Sequence, residues 1–233
     1  MGLSSSVFYE KISGDAPPPD KFALFHAHAQ ELGFTDAFYA RVRLKSDGEP
    51  SATVYRKWDQ DWLSLYEGKR YRQIDPAFKA ARTTSADFGL ELRSDNAGRL
   101  EREFYADAKA HNRYNGFATP IKGVTGVVAG FSVTGLDRKP SAEQINRIKA
   151  AGHMLDLVVK AELSAGSAKA VGLSFREVKY IQFLAQGYSM VQIAHLNDNS
   201  EQWIRKSFMQ IRGKLNVGSN PELVLKALNL GLL

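Results

Sequence analysis

One face of the segment from Ser200 to Leu215 carries side chains suited to reading DNA. Apolar residues recur there at helical spacing and would form a single core-facing stripe: Ile204, Phe208, Ile211 and Leu215. The opposite face is basic and amide-rich, with Gln202, Arg205, Lys206, Gln210 and Arg212. Arg and Gln can make paired hydrogen bonds to base edges, and Lys and Arg neutralise phosphates. The pattern predicts a recognition helix or, equally from these residues alone, an amphipathic surface helix.

A second set of chemically interesting side chains lies near the middle of the chain. Trp62 and Tyr66 stand one helical turn apart, and Asp75 directly precedes Pro76. The bare spacing is typical of two aromatic residues that pack a helix, and an Asp before Pro is typical of a helix cap. On these residues alone, structural roles are the favoured interpretation.

Catalytic and metal-binding patterns are missing from the sequence. The five histidines fall into no H-E-x-x-H or comparable spacing, and no G-x-S-x-G nucleophile motif occurs. With no cysteine, the chain has no disulfide, thiol nucleophile or Cys-ligated zinc, which fits a reducing compartment. We therefore expect neither an enzyme nor a cofactor or metal site. No apolar run approaches the roughly 18 residues that span a bilayer, so a cytoplasmic protein without a membrane partner is expected.

Length and charge indicate two domains with the excess positive charge on the smaller one. The chain has 233 residues, of which 44% are hydrophobic and 24% charged. From Ser167 onward, eight basic residues face four acidic ones, a net +4, whereas the first 166 residues carry 23 basic and 21 acidic residues, a net +2. An excess of this kind is what a nucleic-acid-binding module requires, although a solvated surface produces it too.

The pattern of elements divides the chain at a segment of small residues. Before it, helical and strand-like stretches alternate and predict an α+β domain, an antiparallel sheet covered by helices. Residues 164–172 are small and polar and predict a flexible linker between domains 1–163 and 173–233. After it, Ser174 and Ser189 open two capping boxes, and four short helices are predicted in a helix-turn-helix arrangement.

Motifs in the C-terminal segment resemble the DNA-binding module of LuxR-type regulators. They are Leu173–Glu177, Leu184–Gly187, Gln192–Ala194, Lys214–Val217 and the final Gly231–Leu233. The resemblance implies a four-helix domain that reads double-stranded DNA. The predicted DNA-binding residues are Ser200, Gln202, Trp203, Arg205, Lys206, Gln210, Arg212 and Lys214. The segment departs from the family where the recognition helix begins, with Trp203-Ile204 in place of Thr-Val and Ser207 in place of His.

The N-terminal segment resembles the signal-binding domain of the same family. The motifs are Trp62–Tyr66 and Ile74–Pro76. The resemblance implies an αβα sandwich around an N-acyl homoserine lactone, held by a few polar anchors within apolar walls. By that resemblance, Trp62 donates to the lactone carbonyl and Asp75 accepts the amide N–H, while Tyr66 lines the acyl chain and Ser132 lies near its 3-position.

Two positions depart from the family's ligand site. Trp58 stands where a tyrosine commonly binds the amide carbonyl, and Leu90 stands where many members place a tryptophan against the lactone ring. The pocket is therefore expected to be reshaped for an atypical signal or filled by side chains.

The sequence thus favours a dimeric regulator that binds a palindromic operator under the control of an N-acyl homoserine lactone. Two alternatives stay open: an antagonist that forms a heterodimer with a related regulator, and a regulator independent of lactones. A stripe on the helix predicted over Ser141–Leu163 offers a dimer seam or, alternatively, a face that packs on its own sheet: Ile145, Ile148, Gly152, Leu155 and Val159. Val224, Ala227 and Leu228 offer a second self-complementary surface on the last helix.

Overall fold

The computed structural model describes residues 5–44, 50–83, 88–90, 98–113, 115–122 and 127–233. The chain divides into two compact units, residues 1–158 and 159–233, which are described separately below. Within the described ranges, no helix combines the length and the apolar character needed to cross a membrane.

The first unit is built on a five-stranded antiparallel sheet with strand order β2-β1-β5-β4-β3. The strands are β1 (Asp36–Leu44), β2 (Pro50–Lys57), β3 (Phe88–Leu90), β4 (Asn115–Lys122) and β5 (Val127–Leu136). The helices are α1 (Ser5–Ile12), α2 (Pro18–Glu31), α3 (Gln60–Gly68), α4 (Pro76–Thr83) and α5 (Arg99–Ala110), with a short 3-10 turn at Tyr71–Gln73. The helix α6 (Ala142–Ala170) begins in this unit, and its residues from Val159 onward belong to the second.

Side chains alternate between the two sheet faces, and helices cover both. On one face, Phe131 of β5 contacts Phe25 of α2, with ring centroids 5.7 Å apart, and lies against Gly152 of α6. On the other, Phe38 of β1 contacts Phe78 of α4 at 5.5 Å. The unit is therefore the αβα sandwich of the α+β class that the sequence predicts.

A buried polar group ties the sheet to α6. The Tyr39 hydroxyl donates to Asp156 Oδ1 at 2.8 Å, and Arg41 Nη1 donates to the same oxygen at 2.6 Å. All three side chains are nearly inaccessible to water, so both donors are needed to satisfy the carboxylate.

The second unit packs four short helices around one core. They are α7 (Phe175–Ala185), α8 (Met190–Leu196), α9 (Glu201–Leu215) and α10 (Asn220–Leu230). Both predicted capping boxes form: Ser174 exchanges hydrogen bonds with Glu177, and Ser189 does so with Gln192. The apolar stripe of α9 is buried as predicted, through Ile204, Phe208, Ile211 and Leu215.

The structure differs from the sequence-based expectations at the linker and at the α6 stripe. Residues 164–170 are not a flexible linker but continue α6, whose helix ends at Ala170. Ala and Lys are good helix formers, and no proline interrupts the segment. On the α6 stripe, Ile148 and Leu155 are fully buried, and a Cβ at Gly152 would meet the Phe131 ring at 2.3 Å. This stretch packs on its own sheet and offers no dimer seam.

Candidate ligand and DNA sites

A cavity of about 560 Å³ lies between the β1–β2 part of the sheet and helices α3 and α4. Its volume is within the range of small-molecule sites, roughly 300–1,000 Å³. Its walls are Phe38, Ala40, Val42, Val54, Arg56, Trp58, Tyr66, Glu67, Arg70, Arg72, Gln73 and Phe78. The charged members are exposed, and Arg56 pairs with Glu67 at 3.0 Å, so an apolar and aromatic interior has a charged rim.

Two of the predicted ligand residues, Trp58 and Tyr66, line this cavity. The Trp58 ring stacks on Phe38, with centroids 5.5 Å apart and planes inclined by 25°. Tyr66 contacts Trp58 at a centroid distance of 5.1 Å. Trp58 follows the end of β2 directly, and Tyr66 is carried by α3, so the sheet edge and the helix together build one aromatic wall.

Asp75 is buried beside Tyr66 and caps helix α4. Its Oδ2 accepts a hydrogen bond from the Tyr66 hydroxyl at 2.8 Å, and its Oδ1 accepts one from the Ala77 backbone N–H at 2.8 Å. Burial raises the pKa of the Asp75 carboxyl, while these donors and the nearby Arg113 charge oppose that shift. The helix-cap role is therefore real, and it coexists with a carboxylate held next to the cavity wall.

Trp62 is buried in an aromatic cluster next to the same wall. Its ring contacts Tyr66 at 5.7 Å, Phe104 at 6.0 Å and Tyr71 at 6.2 Å. Its backbone N–H is fixed by Asp59, the N-cap of α3, at 2.7 Å. Only 2% of its surface is exposed, so a ligand that contacts the indole must enter through the cluster.

Arg113 is a member of this site that the sequence did not indicate. Its guanidinium carbon lies 5.0 Å from the Trp58 ring centroid and 5.1 Å from that of Trp62. Its Nη2 donates to Asp36 Oδ1 at 2.7 Å, and both side chains are largely buried. The two partners are 77 residues apart in sequence, so no local pattern could have revealed the pair.

The remaining two predicted ligand positions are Ser132 and Leu90. Ser132 of β5 lies opposite Phe38 of β1 in the sheet register, and directly opposed residues share a face. Ser132 is therefore on the cavity side of the sheet. Leu90 ends β3 opposite Gly116, and its side chain lies outside the described part of the chain.

Helix α9 presents the predicted DNA-binding face to solvent. Ser200 caps it by accepting the Trp203 backbone N–H at 3.2 Å. Gln202, Lys206 and Gln210 are exposed on the face opposite the buried stripe. Arg205 is exposed as well, and its Nε donates to Glu201 Oε1 at 2.8 Å, one turn earlier on the same helix.

Three other predicted DNA-binding side chains make contacts inside the second unit. Arg212 Nη1 donates to Asn220 Oδ1 at 2.8 Å, and Lys214 Nζ donates to both Glu177 oxygens at 2.8 Å. Trp203 packs edge-on against Tyr180 at 5.9 Å and stays 41% exposed. Arg212 and Lys214 therefore help to hold α9 against its neighbours.

Comparison with known proteins shows which family and which relatives the chain resembles. Residues 19–161, more than half of the chain, match the autoinducer binding domain family. The transcriptional activator protein TraR of Agrobacterium vitis is 24% identical over 208 residues, which cover 86% of each protein.

Two solved structures share the fold. The structure of SdiA from Escherichia coli superimposes with a TM-score of 0.57 at 14% identity, over 98% of this chain and 97% of SdiA. The N-acylhomoserine lactone dependent LuxR family transcription factor CepR2 of Burkholderia cenocepacia gives a TM-score of 0.53 at 19% identity, over 66% of this chain and 89% of CepR2.

Proposed function

The chain belongs to the autoinducer-binding family of LuxR-type quorum-sensing regulators, and we propose that it is a DNA-binding transcription factor controlled by an N-acyl homoserine lactone. The observation that carries lactone control is the cavity beside Asp75. A space of about 560 Å³ is lined by Trp58 and Tyr66 together with other apolar side chains and a charged rim, and the buried Asp75 carboxylate accepts a hydrogen bond from the Tyr66 hydroxyl. An acyl tail suits the apolar walls, and an amide suits the carboxylate.

Each proposed ligand contact matches the chemistry of its side chain. Asp75 accepts the amide N–H, since a carboxylate oxygen that already accepts one bond can accept another. Tyr66 and Trp58 line the start of the acyl chain, and Ser132 lies on the sheet face that the tail follows. Trp62 donates its indole N–H to the head group.

Lactone binding controls the protein through its stability. A ligand that binds only the folded state stabilises it in proportion to the logarithm of the ligand concentration over its Kd. Because the lactone stabilises the folded first unit, it increases the amount of folded protein that can bind DNA. The exposed Gln202, Lys206 and Gln210 of α9 support DNA recognition in the major groove. The proposed oligomeric state is a homodimer, because a protein with two-fold symmetry matches a palindromic operator.

The deciding experiment combines ligand identification with DNA binding. The protein is expressed with and without a panel of N-acyl homoserine lactones, and extracts of the purified protein are analysed by mass spectrometry. We expect one acyl length to copurify, to raise the melting temperature and to strengthen a gel shift on a palindromic operator. If no lactone copurifies and none of the lactones raises the melting temperature, lactone control is contradicted.

A second function is favoured by the start of α9. The Trp203 indole is bulky and 41% exposed, and Arg205 is engaged by Glu201. Both features oppose close approach to a DNA groove and suit an antagonist that forms a heterodimer with a related regulator. A gel shift by the purified protein alone would exclude this role.

A further inference from the structure

Arg113 is a buried cation that contacts the cavity wall through Trp58. Only 6% of the residue is exposed, and its guanidinium lies 5.0 Å from the Trp58 ring centroid and 5.1 Å from that of Trp62. Trp58 lines the cavity, and Trp62 is the proposed head-group donor. Arg113 therefore lies beside the residues that are proposed to bind the polar head group.

One hydrogen-bond donor of this guanidinium has no acceptor within the described ranges. Nη2 donates to Asp36 Oδ1 at 2.7 Å, but Nε is buried and has no hydrogen-bond partner among the residues that the structure describes. A buried N–H attached to a permanent positive charge is costly to leave unpaired. Within the described residues this N–H is therefore left for an acceptor that a bound ligand can supply.

The charges around Arg113 decide what kind of acceptor this is. Asp36 is in direct contact, Asp59 Oδ2 lies 3.8 Å from Nη2, and the Asp75 charge also acts on the guanidinium. One cation is thus already faced by three carboxyl groups. A ligand carboxylate would add a further negative charge, whereas an uncharged carbonyl oxygen accepts the Nε–H without that repulsion.

We propose that Arg113 is a specificity-determining residue, whose Nε–H donates to a carbonyl oxygen of an uncharged ligand head group. The inference rests on the proposed lactone control and assigns to Arg113 the discrimination of the head group. Arg113 thereby selects a ligand with an intact lactone ring over one whose ring has no hydrogen-bond acceptor, and over the ring-opened acid.

Three probes with one acyl chain test this selection in the full-length protein. The chain is the one, from butanoyl to dodecanoyl, whose homoserine lactone gives the largest thermal shift. The probes are that lactone, the corresponding N-acyl cyclopentylamine and the ring-opened N-acyl homoserine. We expect calorimetric titration to show the lactone binding about tenfold tighter, or more, than either of the others, the worth of a charged hydrogen bond.

Variants then assign the preference to one side chain. Arg113→Leu and Arg113→Lys should both reduce the preference for the lactone over the cyclopentylamine, leaving only the part that the Trp62 indole N–H supplies. The lysine retains a cation for Asp36 if leucine prevents folding. Arg41→Leu is the matched control, because Arg41 is equally buried and bonds Asp156 on the opposite face of the sheet. Its preference should remain that of the wild type.

The outcomes distinguish the role of Arg113 from the proposed control by a lactone. Equal binding of lactone and cyclopentylamine by the wild type, or an undiminished preference in both Arg113 variants, would overturn the role of Arg113 alone. Tight binding of the ring-opened acid would overturn the charge argument. Absence of any lactone binding would overturn lactone control, and this assignment with it.

Discussion

The Tyr66 hydroxyl donates to Asp75 Oδ2 at 2.8 Å, and this one bond joins helix α3 to the cap of helix α4. Burial raises the pKa values of both groups, as expected for a phenol and a carboxyl removed from water. The Tyr39 hydroxyl makes a bond of the same length to Asp156 on the other face of the sheet. The described residues thus contain two such pairs whose carboxyl groups are both buried, one on each face of the sheet, and the Tyr66–Asp75 pair is the one beside the cavity.

The two pairs form a matched test of structure against ligand binding. Tyr66→Phe and Tyr39→Phe should each lower the free energy of unfolding by about 1–3 kcal/mol, because each leaves a buried carboxylate short of a donor. Urea unfolding measures this loss. Only Tyr66→Phe should also reduce the thermal shift that a lactone produces. An equal reduction in Tyr39→Phe would show that the shift follows global stability and not the site.

Asp75→Asn tests the amide contact itself. The amide keeps the shape and one acceptor oxygen, but its NH₂ group can face the ligand amide N–H, so lactone affinity should fall by about 1.5–3 kcal/mol. Trp62→Phe should cost less, since the ring packing survives and only the indole N–H is removed. Titration calorimetry gives both values. If Asp75→Asn lowers stability but leaves affinity intact, Asp75 is only a helix cap.

Two glycines of α6 test whether residues 164–170 are helix or linker. A Cβ at Gly166 meets nothing within 4 Å, so Gly166→Ala should raise stability by about 0.5–1 kcal/mol through helix propensity. Gly152→Ala should instead cost about 1–3 kcal/mol, because its Cβ would overlap the Phe131 ring. Thermal unfolding distinguishes them. A flexible linker would make Gly166→Ala neutral.

The features that the sequence predicts correctly are those with a local signature. The stripe of α9 and the capping boxes at Ser174 and Ser189 depend on residues three or four positions apart, and all of them form. The linker prediction for the end of α6 was wrong, because small residues are typical of both linkers and helices. The short α1 and β3 elements were missed, since too few residues carry their periodicity.

The site was harder to predict than the fold because its decisive contacts are long-range. Arg113 meets Asp36 across 77 residues, and Lys214 meets Glu177 across 37. Neither pair has a spacing that a helix or a hairpin would explain. The resemblance located Trp58 and Tyr66 at the cavity, but it contained no information on a cation between the two tryptophans.

His28 should make the stability of the first unit depend on pH. It is buried, it stacks on Phe8 at 4.7 Å, and neither ring nitrogen has a hydrogen-bond partner within the described ranges. Burial lowers its pKa from 6.5, and the Arg147 charge lowers it further, while Glu31 lies 3.8 Å from Nδ1. The unfolded chain therefore takes up the proton first, and stability is lost as the pH falls through 6.5 toward the lower folded value.

His28→Phe keeps a ring in the stack and removes the titration. The wild type should lose melting temperature between about pH 7.5 and 5.5, and the variant should lose distinctly less. His153→Gln, an exposed position on α6, is the control and should follow the wild type. Parallel curves for wild type and His28→Phe would show that the acid sensitivity arises elsewhere.

The Glu201–Arg205 pair at the start of α9 should restrain DNA binding. Glu201 accepts hydrogen bonds from the Arg205 guanidinium and places a negative charge at the start of the helix that is proposed to enter the groove. Glu201→Gln removes that charge and releases the arginine, so affinity for an operator should rise on the order of a few-fold at low salt and less at high salt. A fluorescence-anisotropy titration at several salt concentrations measures the change.

Removing the basic side chains of α9 should abolish operator binding at moderate salt without unfolding the protein. Arg205 and Lys206 are both exposed and lie away from the buried stripe, so replacing the two with alanine leaves the core intact. If both side chains neutralise phosphates, the slope of log K against log salt should decrease by about 0.9 for each phosphate that the variant leaves unneutralised. Lys226→Ala, an exposed lysine on α10, is the control and should retain affinity and slope. A double variant that melts like the wild type and still binds the operator at moderate salt would show that α9 does not read DNA through this face.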